Sequence, residues 1–297
     1  MYTEYFKHCI SKSSHYWSTL LQILKELWYR VLANDILERS YAVAFNFTLA
    51  IFPATIFIFT LIPYIPISEL VPKLIDFFKE GMPETIYGAL APTIQDTLSK
   101  HRSGLLSFGF IYSLYLSSNG MMSLLKNFNL ADQPTSQHKR SYLQQRVIAT
   151  ILTLVLTLAL FSTILLLIVA RQVLDYMVSY ELITRKLYIS ILPSASSIIV
   201  FIIFFIAIAG IYYLAPTNKQ NRKFILVGAL LATLGCFLAS LAFSYYVNNF
   251  VKYGLYGSLG VMIALMLWLF LLSLILLIGF ELNLTLNKIL GPSKQQA

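Results

Sequence analysis

Glu281 is the side chain of this sequence best placed to do chemistry in an apolar setting. It follows the uncharged run Leu255–Phe280 directly and leads into Leu282, Asn283, Leu284 and Thr285. A helix from Tyr256 to Asn283 would be about 42 Å long at 1.5 Å per residue, against roughly 30 Å for the hydrocarbon layer of a bilayer. Two arrangements are open. Either Glu281 meets water at the membrane surface, or the helix tilts and Glu281 and Asn283 point into a bundle opposite Arg39 or Lys126. An ionisable group inside a bundle marks a gate or a proton-sensitive site with a partner. Asn46 and Asn119 also interrupt apolar runs. Asn46 is followed by Thr48 and Pro53, and Pro53 frees the carbonyl four residues earlier, that of Leu49. Either that kink faces a cavity or it only shapes packing. Asn119, just before Gly120, either lines a path or bonds to another helix.

Enzyme signals are weak. His8, His15, His101 and His138 are scattered over polar segments, and none pairs with another at zinc-ligand spacing. Cys9 and Cys236 cannot build a disulfide framework and read as plain thiols. There is no G-x-x-x-x-G-K-[ST], and Gly257-Ser258-Leu259-Gly260 lacks the spacing of a nucleophile elbow. The expectation is a chain that is not an enzyme, with no catalytic residue, no metal and no cofactor.

The elements that must carry these residues are six runs of 21 to 26 residues: Val43–Ile65, Gly104–Leu124, Val147–Ala170, Ile189–Leu214, Phe224–Val247 and Leu255–Phe280. None contains Lys, Arg, Asp, Glu or His, whereas a soluble helix needs a polar face. Composition agrees: 58% hydrophobic and 12% charged residues, with mean hydropathy +0.71, against about 25% charged in soluble domains. The fold class is all-α, a polytopic six-helix membrane bundle whose first partner is the lipid bilayer. The net charge of +9 is spread over the connecting segments, which does not point to nucleic acid. With both termini cytoplasmic, the inner segments hold 14 Lys and Arg against 8 outside. Lys219, Arg222 and Lys223 crowd 215–223, while 248–254 holds Lys252 alone. The positive-inside rule therefore puts both ends in the cytoplasm.

Before the first span, Trp17, Leu20, Leu21, Leu24, Leu27, Trp28, Val31 and Leu32 form one helical face opposite Ser18, Gln22, Lys25, Glu26 and Arg30. This predicts an amphipathic helix that lies at the headgroup boundary or packs on the cytoplasmic end of the bundle. Asn34-Asp35 breaks it, and Asp35 with Glu38 has capping-box spacing. The chain thus divides into 1–34, a membrane domain 35–290 and a tail 291–297. Segment 66–103, with Pro66, Pro72, Pro83 and Pro92, reads as an outer lid with short helices over Leu70–Lys79 and Thr85–Leu98. In the fifth span Gly228, Ala232, Gly235, Ala239 and Ala242 make a small-residue stripe that lets another helix approach. Gly257 and Gly260 could serve the same packing in the last span. Homo-oligomerisation stays open.

These residues resemble a known family. Tyr256-Gly257-Ser258-Leu259-Gly260, then Leu267-Trp268-Leu269, then Gly279-Phe280-Glu281-Leu282-Asn283 look like the C-terminal signature of the BrkB/YihY inner-membrane proteins, once labelled ribonuclease BN. Ser40-Tyr41-Ala42-Val43-Ala44-Phe45 leading to Ile51-Phe52-Pro53 is similar to the family's opening. Ser117-Ser118-Asn119-Gly120-Met121, Phe128-Asn129 and Leu214-Ala215-Pro216 match further along. Two positions depart from the pattern: Phe280, where the family usually has a small residue, and Ala50, where a Ser is common. The resemblance covers roughly residues 20–290. It implies a six-helix bundle in the bacterial inner membrane with cytoplasmic termini, and no settled activity. The expectation drawn from residues and resemblance together is a transporter or flippase for a small solute or lipid-linked molecule, with Asn46, Pro53, Asn119, Glu281, Asn283 and Arg39 at its cavity or gate. A non-transporting envelope scaffold is the alternative, and a nuclease the least favoured.

Overall fold

In a computed structural model of the chain every element among the described residues is an α-helix, which suits a lipid environment, since each backbone N–H and C=O is then satisfied within its own segment. The structure describes residues 2–61, 106–132, 140–180, 184–216, 221–250 and 253–291, with isolated helical positions between 72 and 91. Among these residues the order is α1 (Tyr2–Ala33), α2 (Ile36–Leu61), α3 (Leu106–Asp132), α4 (Tyr142–Ser179), α5 (Arg185–Leu214), α6 (Arg222–Phe250) and α7 (Tyr253–Leu290).

Among the described residues four stretches are long and apolar enough to cross a membrane: Tyr142–Ser179, Ser194–Leu214, Arg222–Tyr246 and Met262–Leu290. Their outer faces carry Leu158, Val169, Ile198, Ile202, Ile206, Leu238 and Leu241, all exposed. Apolar surface on that scale is shielded from water by lipid. The other two expected spans, 43–65 and 104–124, run beyond the described residues at 62–65 and 104–105. The expected lid at 66–103, with its helices over Leu70–Lys79 and Thr85–Leu98, also lies outside them apart from the isolated positions.

One local expectation is corrected. Asp35 does not take the extended backbone of an N-cap; its φ is 47°, the left-handed region that a side chain adopts only at a cost. Asn34 and Asp35 instead make a tight turn in which the Asn34 N–H donates to the Arg30 carbonyl (3.0 Å) and the Arg39 N–H to the Asp35 carbonyl (3.1 Å). A capping box does open α4: Ser141 Oγ accepts from the Gln144 N–H and Gln144 Oε1 from the Ser141 N–H.

The helices fall into two compact units. The first comprises Met1–Ala44, Leu124–Arg140 and Ile208–Ala297, and in it α7 packs against both α6 and α1. Gly228 meets the Asn283 side chain, and a Cβ at Gly235 would come within 2.9 Å of Ile275 Cγ2. Ala232 is fully buried and Ala239 partly so. The surroundings of Gly257 and Gly260 lie outside what is described. Phe128 stacks on Phe280 with centroids 4.2 Å apart, and Tyr212 closes a three-ring core at 5.7 and 5.9 Å from them. The Tyr212 hydroxyl donates to the Leu276 carbonyl at 2.7 Å. A Cβ at Gly279 would stand 2.6 Å from that oxygen, so only glycine admits it. Arg140 donates to the carbonyls of Leu214, Ala215 and Pro216 at 3.3, 2.9 and 2.8 Å. It thereby satisfies groups that a helix C-terminus leaves open and meets the negative end of the α5 dipole.

The second unit comprises Phe45–Ser123 and Ser141–Ala207. Here α2 approaches α3 closely, since a Cβ at Gly120 would lie 2.6 Å from the Phe47 ring. Ser117, Ser118, Thr153 and Thr157 are buried, and each hydroxyl donates to a carbonyl of its own helix.

Candidate functional site

Each unit contains a polar centre. In the first, the Glu281 carboxylate is 1% exposed. Its Oε1 accepts from Asn34 Nδ2 at 2.7 Å and its Oε2 from an Arg30 terminal nitrogen at 3.3 Å. Arg30 Nε donates to Glu26 Oε1 at 3.2 Å, one helical turn away, and the same oxygen accepts from Lys288 Nζ at 2.7 Å. The spacing explains the match. Positions 26 and 30 on α1 and 34 in the turn that follows it step by four along one face, and 281 and 288 lie two turns apart on α7. Pairing 26 with 288 and 34 with 281 runs the helices antiparallel, over rises of about 12 and 10.5 Å. The ammonium of Lys288 and then the guanidinium of Arg30 hold the Glu26 carboxyl below its usual value, working against its partial burial.

The sequence pointed to Arg39 or Lys126 as the partner of Glu281. Neither is hydrogen-bonded to it; Arg39, partly buried, acts on it through its charge, and Lys126 is exposed. The real donors, Arg30 and Asn34, read in the sequence as the polar side of a surface helix and as a helix break. Their signal was the four-residue step from Glu26. Asn283 is fully buried against Gly228, and neither its Oδ1 nor its Nδ2 has a hydrogen-bond partner among the described residues.

In the second unit the centre is Arg146, which is 9% exposed. One terminal nitrogen donates to Asn119 Oδ1 at 2.8 Å and the other to the Tyr115 carbonyl at 2.7 Å. The guanidinium lies 3.7 Å over the Tyr115 ring. Asn46 Nδ2 donates to Ser123 Oγ at 3.3 Å, linking α2 to α3, and Pro53 lies within α2. Sequence reading placed Arg146 just outside an apolar run and assigned it no role. The missing signal was a polar partner for Asn119.

The expected cavity residues are therefore distributed: Glu281, Asn283 and Arg39 belong to the first unit, and Asn46, Pro53 and Asn119 to the second. Among the described residues no three His, Cys, Asp or Glu side chains come together. His101 and His138 lie outside those residues, as do the surroundings of His8 and His15.

Long apolar helices with a few buried polar side chains define a helical membrane protein. The family described as virulence factor BrkB matches residues 27–297, and the chain belongs to it. It is 29% identical over 269 residues to the ribonuclease-like protein YfkH of Bacillus subtilis, covering 90% of this chain and 96% of that protein. It is 27% identical over 288 residues to a UPF0761 membrane protein of Psychromonas ingrahamii, covering 93% of this chain and 90% of the relative. A UPF0761 membrane protein of Vibrio cholerae matches at 33% identity over 89 residues, 30% of each chain. No solved structure matches.

Proposed function

We propose that this chain is a transporter or flippase for a small solute or a lipid-linked molecule. It crosses the bacterial plasma membrane six times, with both termini in the cytoplasm, and uses neither metal nor cofactor. The observation that carries the reading is the Glu281 centre. A carboxylate 1% exposed, bonded to an arginine and an asparagine from another helix, is an expensive feature in an apolar protein and by default a functional one. Asn283, two residues on, is a buried amide with no partner, and an unpaired amide costs free energy that a substrate, an ion or water would recover. Glu281 acts as the gate or proton-sensitive group, with Arg30 in the place that Arg39 was expected to take. The test compares Glu281→Gln with the unaltered chain in a growth-rescue or transport assay at equal protein level. Unchanged activity removes Glu281 from the mechanism.

A scaffold role is favoured by one observation: Leu20, Leu21, Leu24, Trp28 and Leu32 on α1 are all exposed. That apolar face fits the headgroup layer of the membrane. It also fits an envelope partner, in which case alanine substitutions there would impair growth rescue more than changes at Glu281. Nuclease action stays the least favoured reading. Cleavage of RNA by the purified protein, lost on substituting a histidine, would revive it.

A further inference from the structure

We propose that Arg146 is the anchor of an oxyanion site in the second unit, one that takes the phosphate group of a lipid headgroup or of a soluble phosphate ester. The inference deepens the transport reading by naming its substrate class, and rests on that reading for movement but not for binding.

Charge is the first ground. Arginine stays protonated in proteins, and a buried cation is ordinarily paired with an acid. Both acceptors that Arg146 uses are neutral, an amide oxygen and a backbone carbonyl. The described acids of this unit, Asp76 and Asp175, are exposed, and neither forms an ion pair with Arg146. A positive charge nine-tenths removed from water thus has no counter-ion among the described residues.

Geometry is the second. Asn119 and Tyr115 each occupy one terminal nitrogen, while the Nε–H is buried and has no acceptor among the described residues. That leaves an edge of the guanidinium fork, the shape that receives two oxygens of a phosphate. The Tyr115 ring at 3.7 Å fixes the plane of the fork. Tyr115 is itself 48% exposed, so the stacked pair lies near the surface of the unit. Position is the third. Arg146 lies in the second turn of α4, just ahead of the uncharged run 147–170, the level at which headgroup phosphates lie.

The experiment uses the full chain in non-ionic detergent and follows thermal unfolding with inorganic phosphate, with phosphatidylglycerol, with phosphatidylcholine, and with chloride at matched ionic strength. Phosphate or phosphatidylglycerol should stabilise the protein beyond chloride, and the apparent affinity should fall on the order of tenfold or more in Arg146→Gln. Arg146→Lys, which keeps the charge and loses the fork, should lie between. Asn119→Asp does not depend on a tolerant fold. It supplies the missing counter-ion beside the guanidinium, so it should raise the melting temperature without ligand and abolish the phosphate response. Stabilisation by phosphatidylglycerol alone assigns the site to a lipid headgroup; stabilisation by phosphate as well assigns it to the phosphate group in either source. No response beyond chloride, or an undiminished response in Asn119→Asp, overturns the inference. Binding without movement across vesicles would sink the transport reading and leave this site standing.

Discussion

Arg30 cannot be removed without leaving Glu281 short of its ion pair, whereas Arg30 keeps Glu26 when Glu281 is replaced. Arg30→Ala strands a carboxylate that is 1% exposed, and breaking such a pair costs about 3–5 kcal/mol. The expected outcome is a sharply lowered melting temperature, with much of the loss recovered in the Arg30→Gln/Glu281→Gln double variant. Full additivity of the two changes would show that the pair is not coupled. Asn283 behaves the opposite way. Its amide makes no bond in the resting fold, so Asn283→Ala should leave thermal stability unchanged or raised while lowering activity. A large drop in stability would instead mean that the amide is structural. The sequence made the importance of Gly279, Glu281 and Asn283 legible as a motif, because ionisable and amide groups stand out in an apolar run. Their partners were not legible. Tyr212 opposite Gly279, Arg30 and Asn34 opposite Glu281, and Gly228 opposite Asn283 are long-range pairings that no local pattern encodes. Phe280, the departure from the family pattern, fills its position by stacking on Phe128.

Helix α6 meets α7 through glycines, which makes the contact intolerant of volume. Gly228→Ala would drive a methyl into Asn283 and should cost about 1–3 kcal/mol by thermal unfolding, less when combined with Asn283→Ala because the two sites share a contact. The small-residue stripe showed in the sequence through its 4–3–4 spacing, whereas the helix it would meet did not. Docking of α1 on α7 responds to acid. Glu26 titrates below its free value of 4.5, so its contribution is complete above that value and is lost as pH falls through the lowered range. Being partly exposed, each of its pairs is worth about 0.2–1 kcal/mol and is weakened by salt. Protection of α1 backbone amides from hydrogen exchange should therefore fall in acid and in high salt; protection indifferent to both would rule out the ionic latch. At the turn, Asp35→Gly should be tolerated and Asp35→Val should cost about 1–2 kcal/mol, since the residue has left-handed backbone. Capping-box spacing misled there because Asn34 is held by Glu281 and draws the chain into a turn before α2 begins.

At the scale of the whole molecule, membrane residence was legible from the lengths of uncharged runs, and helix identity from the same runs. The proposed six crossings would place the two ends on one side, so on that proposal reporter fusions at the N- and C-termini should give the same compartment signal, cytoplasmic in both cases. Opposite signals would exclude an even number of spans. Composition also divided the chain at residue 34, and there the tertiary contacts cut across it: α1, the turn and α7 belong to one compact unit. Helix α1 is consequently tied to α7. A chain trimmed to start at Ile36 would deprive Glu281 of both hydrogen-bond donors and Lys288 of its carboxylate in a single step, a loss that no single substitution reproduces.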